Sequence, residues 1–195
     1  MRKNCKNLPC VRLVLVILLI LPTLAFAGQP LDGVIGLKWG DSAAKSDRIM
    51  KEKGATERKF KTELHHEEGH SCTDYEGNFM GREGSVLLCF YEGKLYAIDF
   101  MFYCLKPREL FDDYMRILLS KYGSYIKLFS GPLGDQFGSL TWRVDKTEIE
   151  LQYSDFSRDH PNDLYASTVE VNYRDWKKAE RVNLRIKHKE AYDDL

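Results

Sequence analysis

The dipeptide Glu92-Gly93 separates two runs rich in aliphatic and aromatic residues, Ser85–Tyr91 and Lys94–Cys104. A two-residue connection ending in glycine between such runs makes them neighbouring antiparallel strands, so the chain must contain an antiparallel sheet. The turn also sets the register, with Phe90 opposite Leu95 and Cys89 opposite Tyr96. Cys104 then lies eight residues beyond Tyr96, roughly 27 Å at about 3.4 Å per residue. That exceeds the ~7 Å Cα separation a disulfide can span, so Cys89 and Cys104 are not expected to pair and any disulfide must use Cys72.

Other elements arrange themselves around this hairpin. A first helix is predicted from Asp41 or Ser42, either able to cap free N–H groups, to Lys53, with Gly54 as its stop. Its apolar face is Ala43, Ala44, Ile49 and Met50. Cys72–Glu76 reads as a weak strand and Gly77–Gly84 as turn-rich. A second helix starts at Pro107, where Phe111, Tyr114, Met115, Leu118 and Tyr122 recur at helical spacing before Gly123. A Gly-rich connection through Gly131, Gly134 and Gly138 leads to strands Ser139–Val144 and Glu148–Tyr153. A polar loop precedes the last strand, Thr168–Tyr173, and a charged helix begins near Asp175. The expected fold is therefore α+β, an antiparallel sheet of helix-plus-three-strand meander units with helices on one face and a C-terminal helix. The two pseudo-repeat halves run from about 33 to 104 and from about 105 to 173. In element order alone the chain resembles small envelope modules such as β-lactamase inhibitory protein and the small outer-membrane assembly lipoproteins. No shared motif accompanies that order, so no residue or activity is carried over.

The N-terminus reads as an export signal. Arg2, Lys3, Lys6 and Arg12 precede an apolar run from Leu13 to Leu21, Pro22 breaks it, and Ala25-Phe26-Ala27 provides small residues for cleavage after Ala27. The 15 uncharged residues from Leu13 to Ala27 are fewer than the about 20 a membrane-spanning helix needs. Residues 1–27 are thus expected to be a secretory signal peptide and 28–195 a single exported domain, periplasmic or secreted, with no transmembrane segment. The remaining 168 residues carry 25 basic and 29 acidic side chains, a net charge of −4. Without a clustered basic excess, nucleic acid is not an expected partner. Cys5 and Cys10 leave with the signal, and Cys72, Cys89 and Cys104 remain for an oxidising compartment.

Residues 65–72 read His-His-Glu-Glu-Gly-His-Ser-Cys, and His66 to His70 match H-E-x-x-H. On a helix, histidines four apart face one way and can hold zinc, while the intervening glutamate activates a bound water. The pattern resembles the zincin metalloprotease signature, which implies His66 and His70 as ligands and Glu67 as the base. Charged Glu68 within the motif, Glu76 where a third histidine would stand, and only 38 residues between Ala27 and His66 count against a protease core. The leading reading of this segment is therefore a solvated, histidine-bearing loop; a non-catalytic metal site using His65, His66, His70 and Cys72 comes second and the catalytic zincin third.

Asp99 sits in an apolar strand on the face of Ala97 and Met101, where an acid is either catalytic or marks a partly wet face. Glu148 and Glu150 alternate with Ile149 and Leu151, as on a wet sheet face. Ser130-Gly131-Pro132-Leu133-Gly134 lacks the lysine and hydroxyl of a phosphate loop. Trp39 and Trp142 are expected in the core and Trp176 between the last helix and the sheet. The expected function is a non-enzymatic exported module that binds a protein or small molecule of the cell envelope. The alternatives are a zinc-dependent hydrolase at His66, Glu67 and His70, and a structural subunit of an envelope complex docked through the C-terminal helix.

Overall fold

Two long hairpins form the first half of the sheet: β4 (His70–Phe79), β5 (Arg82–Tyr91) and β6 (Lys94–Tyr103). Both turns are two residues long, Met80-Gly81 with φ of 54° and 81° and Glu92-Gly93 with φ of 51° and 69°. Positive φ at both central positions matches the right-handed twist of the flanking strands. The computed structural model describes residues 31, 33–58, 69–130, 136–156 and 167–193, all within one compact unit, Leu31–Leu195.

Phe90 faces Leu95 as the turn requires, but the register shifts between Cys89 and Phe90, so Cys89 lies opposite Ala97 rather than Tyr96. Tyr96 is the extra residue of a β-bulge, a feature that side-chain alternation does not mark. The region read as turn-rich, Gly77–Gly84, is instead the tip of a continuous β4–β5 hairpin in which Gly77 pairs with Gly84.

Preceding these strands are a short hairpin of β1 (Gly33–Val34) and β2 (Leu37–Lys38), helix α1 (Ala43–Glu52) and β3 (Thr56–Arg58). Following them are α2 (Pro107–Tyr122), β7 (Lys127–Ser130), β8 (Phe137–Val144), β9 (Thr147–Asp155), β10 (Ser167–Asp175) and α3 (Trp176–Asp193). The main sheet has eight strands in the order β3-β4-β5-β6-β10-β9-β8-β7, every pair antiparallel. Four strands come from each half rather than three. The strands missed in the sequence, β3 and β7, are short edges of three and four residues. Runs that short show no reliable alternation.

The halves join where β6 pairs with β10. Alternation puts Ile98, Phe100, Val169, Val171, Ile149 and Leu151 on one face, all buried in a single core with Met50 of α1 and Leu110, Phe111, Tyr114 and Leu118 of α2. Ser42 caps α1 by accepting a hydrogen bond from the Lys45 N–H at 3.3 Å. That helix buries Ser46 and Met50 and leaves Ala43 and Ala44 exposed, so its contact stripe is narrower than the apolar pattern suggests.

The opposite face presents Asp99, Glu170, Asn172, Arg174, Glu148 and Glu150. Here α3 departs from the expectation that helices share one face. It touches β6 and β10 and borders a hollow with Arg143, Glu148 and Arg174. Its Ala179 and Val182 are buried but lie outside the main core. Asp175 ends β10 and Trp176 begins α3, with no loop that could carry the chain around the sheet edge. No helix of the described residues is long and apolar enough to cross a membrane.

Candidate functional site

The histidine-rich motif divides at the boundary of the described chain. His65, His66 and Glu67 lie outside the described residues. Gly69 has φ of 87° and His70 is the first residue of β4. The second histidine is therefore on a strand, and the helical i, i+4 geometry that H-E-x-x-H relies on does not reach it.

On β4, His70 and Cys72 are two residues apart and so project from the same face. Cys72 is directly opposite Cys89 of β5, and the two form a disulfide with a Cα–Cα distance of 4.2 Å. Cys72 is the required partner, as the hairpin register implied, and Cys104 is left free. His70 Nε2 lies 2.9 Å from Tyr96 Oη and 3.7 Å from Cys72 Sγ. The donor atoms of His70, Cys72 and Cys89 all fall within 4.8 Å of one another. A disulfide sulfur is not a thiolate and does not ligate zinc, so in this form His70 alone of the three offers a metal donor. Burial pushes the Cys104 thiol above its ordinary pKa, against a backbone hydrogen bond at Lys106 and the charge of Arg82, so it stays protonated at neutral pH.

The remaining sequence candidates fall in different places. Asp99 is on the polar face, with Arg174 Nε at 3.9 Å from Oδ1. Desolvation raises its pKa to about 6, opposed by Arg174 and reinforced by Glu170 and Glu150. Glu148 accepts a 2.7 Å hydrogen bond from Arg143, and Glu148 and Glu150 are partly exposed on a face that α3 covers over part of its width. Trp142 is buried and donates to the Gly123 carbonyl at 2.8 Å. Trp39, partly buried, donates to Thr147 Oγ1 at 2.8 Å. Trp176 lies between α3 and the sheet, with the Arg143 cation of β8 at 4.6 Å and Lys177 at 5.4 Å from its ring and its indole N–H donating to the Asp145 carbonyl at 3.2 Å. Residues 131–135 of the Gly-rich segment lie outside the described residues.

A further site lies on the core side of the sheet and is lined by none of these residues. A pocket of about 340 Å³ opens between the β1–β2 hairpin, α2 and β10. Val34 and Ile35 form one wall, Tyr114 and Tyr122 another, and Val171 and Tyr173 the floor. The hairpin is held over it by buried Thr147, whose hydroxyl donates to the Leu31 carbonyl at 2.7 Å while accepting from Trp39. Tyr114 Oη is buried with no hydrogen-bond partner among the described residues. Burial raises the pKa of both Tyr114 and Tyr173, and the neighbouring Tyr122 phenol adds to the shift at Tyr173. These two phenols therefore stay neutral at physiological pH. Ile117 and Met80 border the pocket and are exposed. A concave, mainly apolar space with a few phenols suits a small, largely apolar molecule. The only trace of it in the sequence is the i, i+4, i+8 series Tyr114, Leu118, Tyr122, which reads equally well as core.

No family model, curated protein or solved structure matches this chain.

Proposed function

We propose that this protein is an exported, non-enzymatic binding module whose ligand, a small and largely apolar molecule, sits between the β1–β2 hairpin and α2. The observation that carries this reading is the mainly apolar lining of the pocket of about 340 Å³, which sets it apart from hollows of similar volume beside Trp176 and Lys178. Its wall is built from chain segments far apart in sequence and clamped by Thr147. Export is supported by the basic-apolar-small pattern of residues 1–27 and by the Cys72–Cys89 disulfide, a bond that persists in oxidising compartments.

An anilinonaphthalene sulfonate titration of the purified protein tests the pocket. Saturable binding at one probe per chain is expected, weakened at least tenfold by Ile117→Asp, which puts a charge at an already exposed rim position. Probe binding that does not saturate, or that Ile117→Asp leaves unchanged, would remove the pocket as the site. N-terminal sequencing of the exported protein, expected to begin at Gly28, tests the compartment separately.

A further inference from the structure

We infer that reduction of the Cys72–Cys89 disulfide creates a zinc site formed by the two cysteine thiolates and the His70 imidazole. Ligand atoms around a tetrahedral zinc, with Zn–S near 2.3 Å and Zn–N near 2.0 Å, stand about 3.5–3.8 Å apart. His70 Nε2 and Cys72 Sγ already lie 3.7 Å apart, and all three donor atoms fall within 4.8 Å. The sulfur–sulfur distance must grow to about 3.7 Å and the His70–Cys89 donor distance, now within 4.8 Å, must settle near about 3.5 Å, adjustments that side-chain rotation of two directly opposed cysteines supplies. Two paired strands, β4 and β5, fix all three side chains on one face. Among the described residues three ligands are available, which leaves a fourth position as in an open rather than a closed zinc site.

The conversion balances with an external dithiol as reductant. Its thiolate attacks the half-exposed Cys72 sulfur, and buried Cys89 leaves as a thiolate and takes a proton. The second thiol of the reductant then displaces Cys72 and closes the reductant's own disulfide, so two electrons and two protons pass to the protein. Zinc binding next releases two thiol protons to water. Tyr96 Oη, at 2.9 Å from Nε2, yields its hydrogen bond when the metal takes the imidazole lone pair. Oxidation empties the site by removing both thiolates, so metal occupancy follows the redox state.

The full-length protein after signal removal, with and without a phosphine reductant under anaerobic conditions, is titrated with zinc against a chromophoric chelator, and with cobalt(II) as a spectroscopic probe. The reduced form is expected to take one zinc per chain and to show a thiolate-to-cobalt charge-transfer band, while the disulfide form shows neither. Cys72→Ser and Cys89→Ser should each abolish the band. His70→Ala should weaken zinc at least tenfold, and Tyr96→Phe should bind at least as tightly as wild type. Reduced protein that binds no zinc, or binds it equally well as Cys89→Ser or His70→Ala, overturns the inference. So does a reduced chain that has lost its near-ultraviolet circular dichroism and binds no zinc, because the site requires the β4–β5 pair to survive reduction.

Discussion

Asp99 of β6 and Asn172 of β10 stand directly opposite each other at the seam between the two halves of the sheet, and each buries an oxygen with no hydrogen-bond partner among the described residues. Two buried acceptors on paired residues, neither satisfied, are unfavourable while Asp99 is ionised. A proton on Asp99 gives the pair a donor. Arg174, Glu170 and Glu150 are the charged neighbours, and desolvation outweighs the attraction of Arg174, which is why the carboxyl titrates near 6.

This relationship has a consequence for stability. Because the folded-state pKa of Asp99 is about 6 against an ordinary 3.8, the native state holds the extra proton between those values. Its contribution is fully present below about pH 4, falls as pH rises, and is lost above about pH 6. Asp99→Asn keeps the shape, supplies an amide donor for Asn172 and removes the titration. Urea unfolding at pH 4 and pH 7 should show the variant gaining on wild type by on the order of 2 kcal/mol at the higher pH. An equal difference at both pH values would contradict the assignment.

Thr147 is fully buried and makes two hydrogen bonds, one to the Leu31 carbonyl and one from the Trp39 indole. Thr147→Val preserves volume and leaves both partners unsatisfied, at a cost of about 1–3 kcal/mol. The hairpin over the pocket should loosen with it. Hydrogen exchange of the residue 33–40 amides is expected to accelerate in this variant more than exchange of β5 or β6.

Gly84 lies where a Cβ would come within 2.6 Å of the Met101 carbonyl and 2.8 Å of the Phe102 ring. The nearer atom is backbone of a central strand and cannot turn aside. Gly84→Ala should therefore lower the midpoint of urea unfolding markedly, for a stability loss of about 1–3 kcal/mol from overpacking. Gly93→Ala meets no atom within 4 Å and carries only the strain of its positive φ, so it should cost less.

The disulfide closes a loop with a sequence separation of 17. In the chain-entropy account such a loop contributes about 3 kcal/mol by restricting the unfolded chain. The double variant Cys72→Ser, Cys89→Ser should lose roughly that much in thermal or urea unfolding while keeping the far-ultraviolet spectrum of a sheet.

Much of the fold was legible because it depends on local chemistry. Glu92-Gly93 specified a tight turn, and the Phe90–Leu95 pairing followed from it. Pro107, the Phe111–Tyr122 spacing and Gly123 marked α2 almost to the residue. The same register excluded a Cys89–Cys104 bond and pointed to Cys72. It did not disclose the bulge at Tyr96, which places that hydroxyl beside His70, because a bulge inserts a residue without altering hydrophobicity. Nor could it assign α3 to the polar face, since Ala179 and Val182 make too narrow a stripe to declare a side.

What the sequence by itself determined is the antiparallel sheet, the helices begun at Ser42 and Pro107 and ended at Gly54 and Gly123, the choice of Cys72 for any disulfide, and the expectation of export. What only the tertiary structure decided is which residues meet across long separations. Those are His70 with Cys72, Cys89 and Tyr96; Asp99 with Asn172; and the hairpin at 33–38 with the tyrosines of α2 and β10. Turns and caps are encoded within a few residues of themselves. A site assembled from different strands exists only once the strand order and register are set, and no short stretch of chain records either.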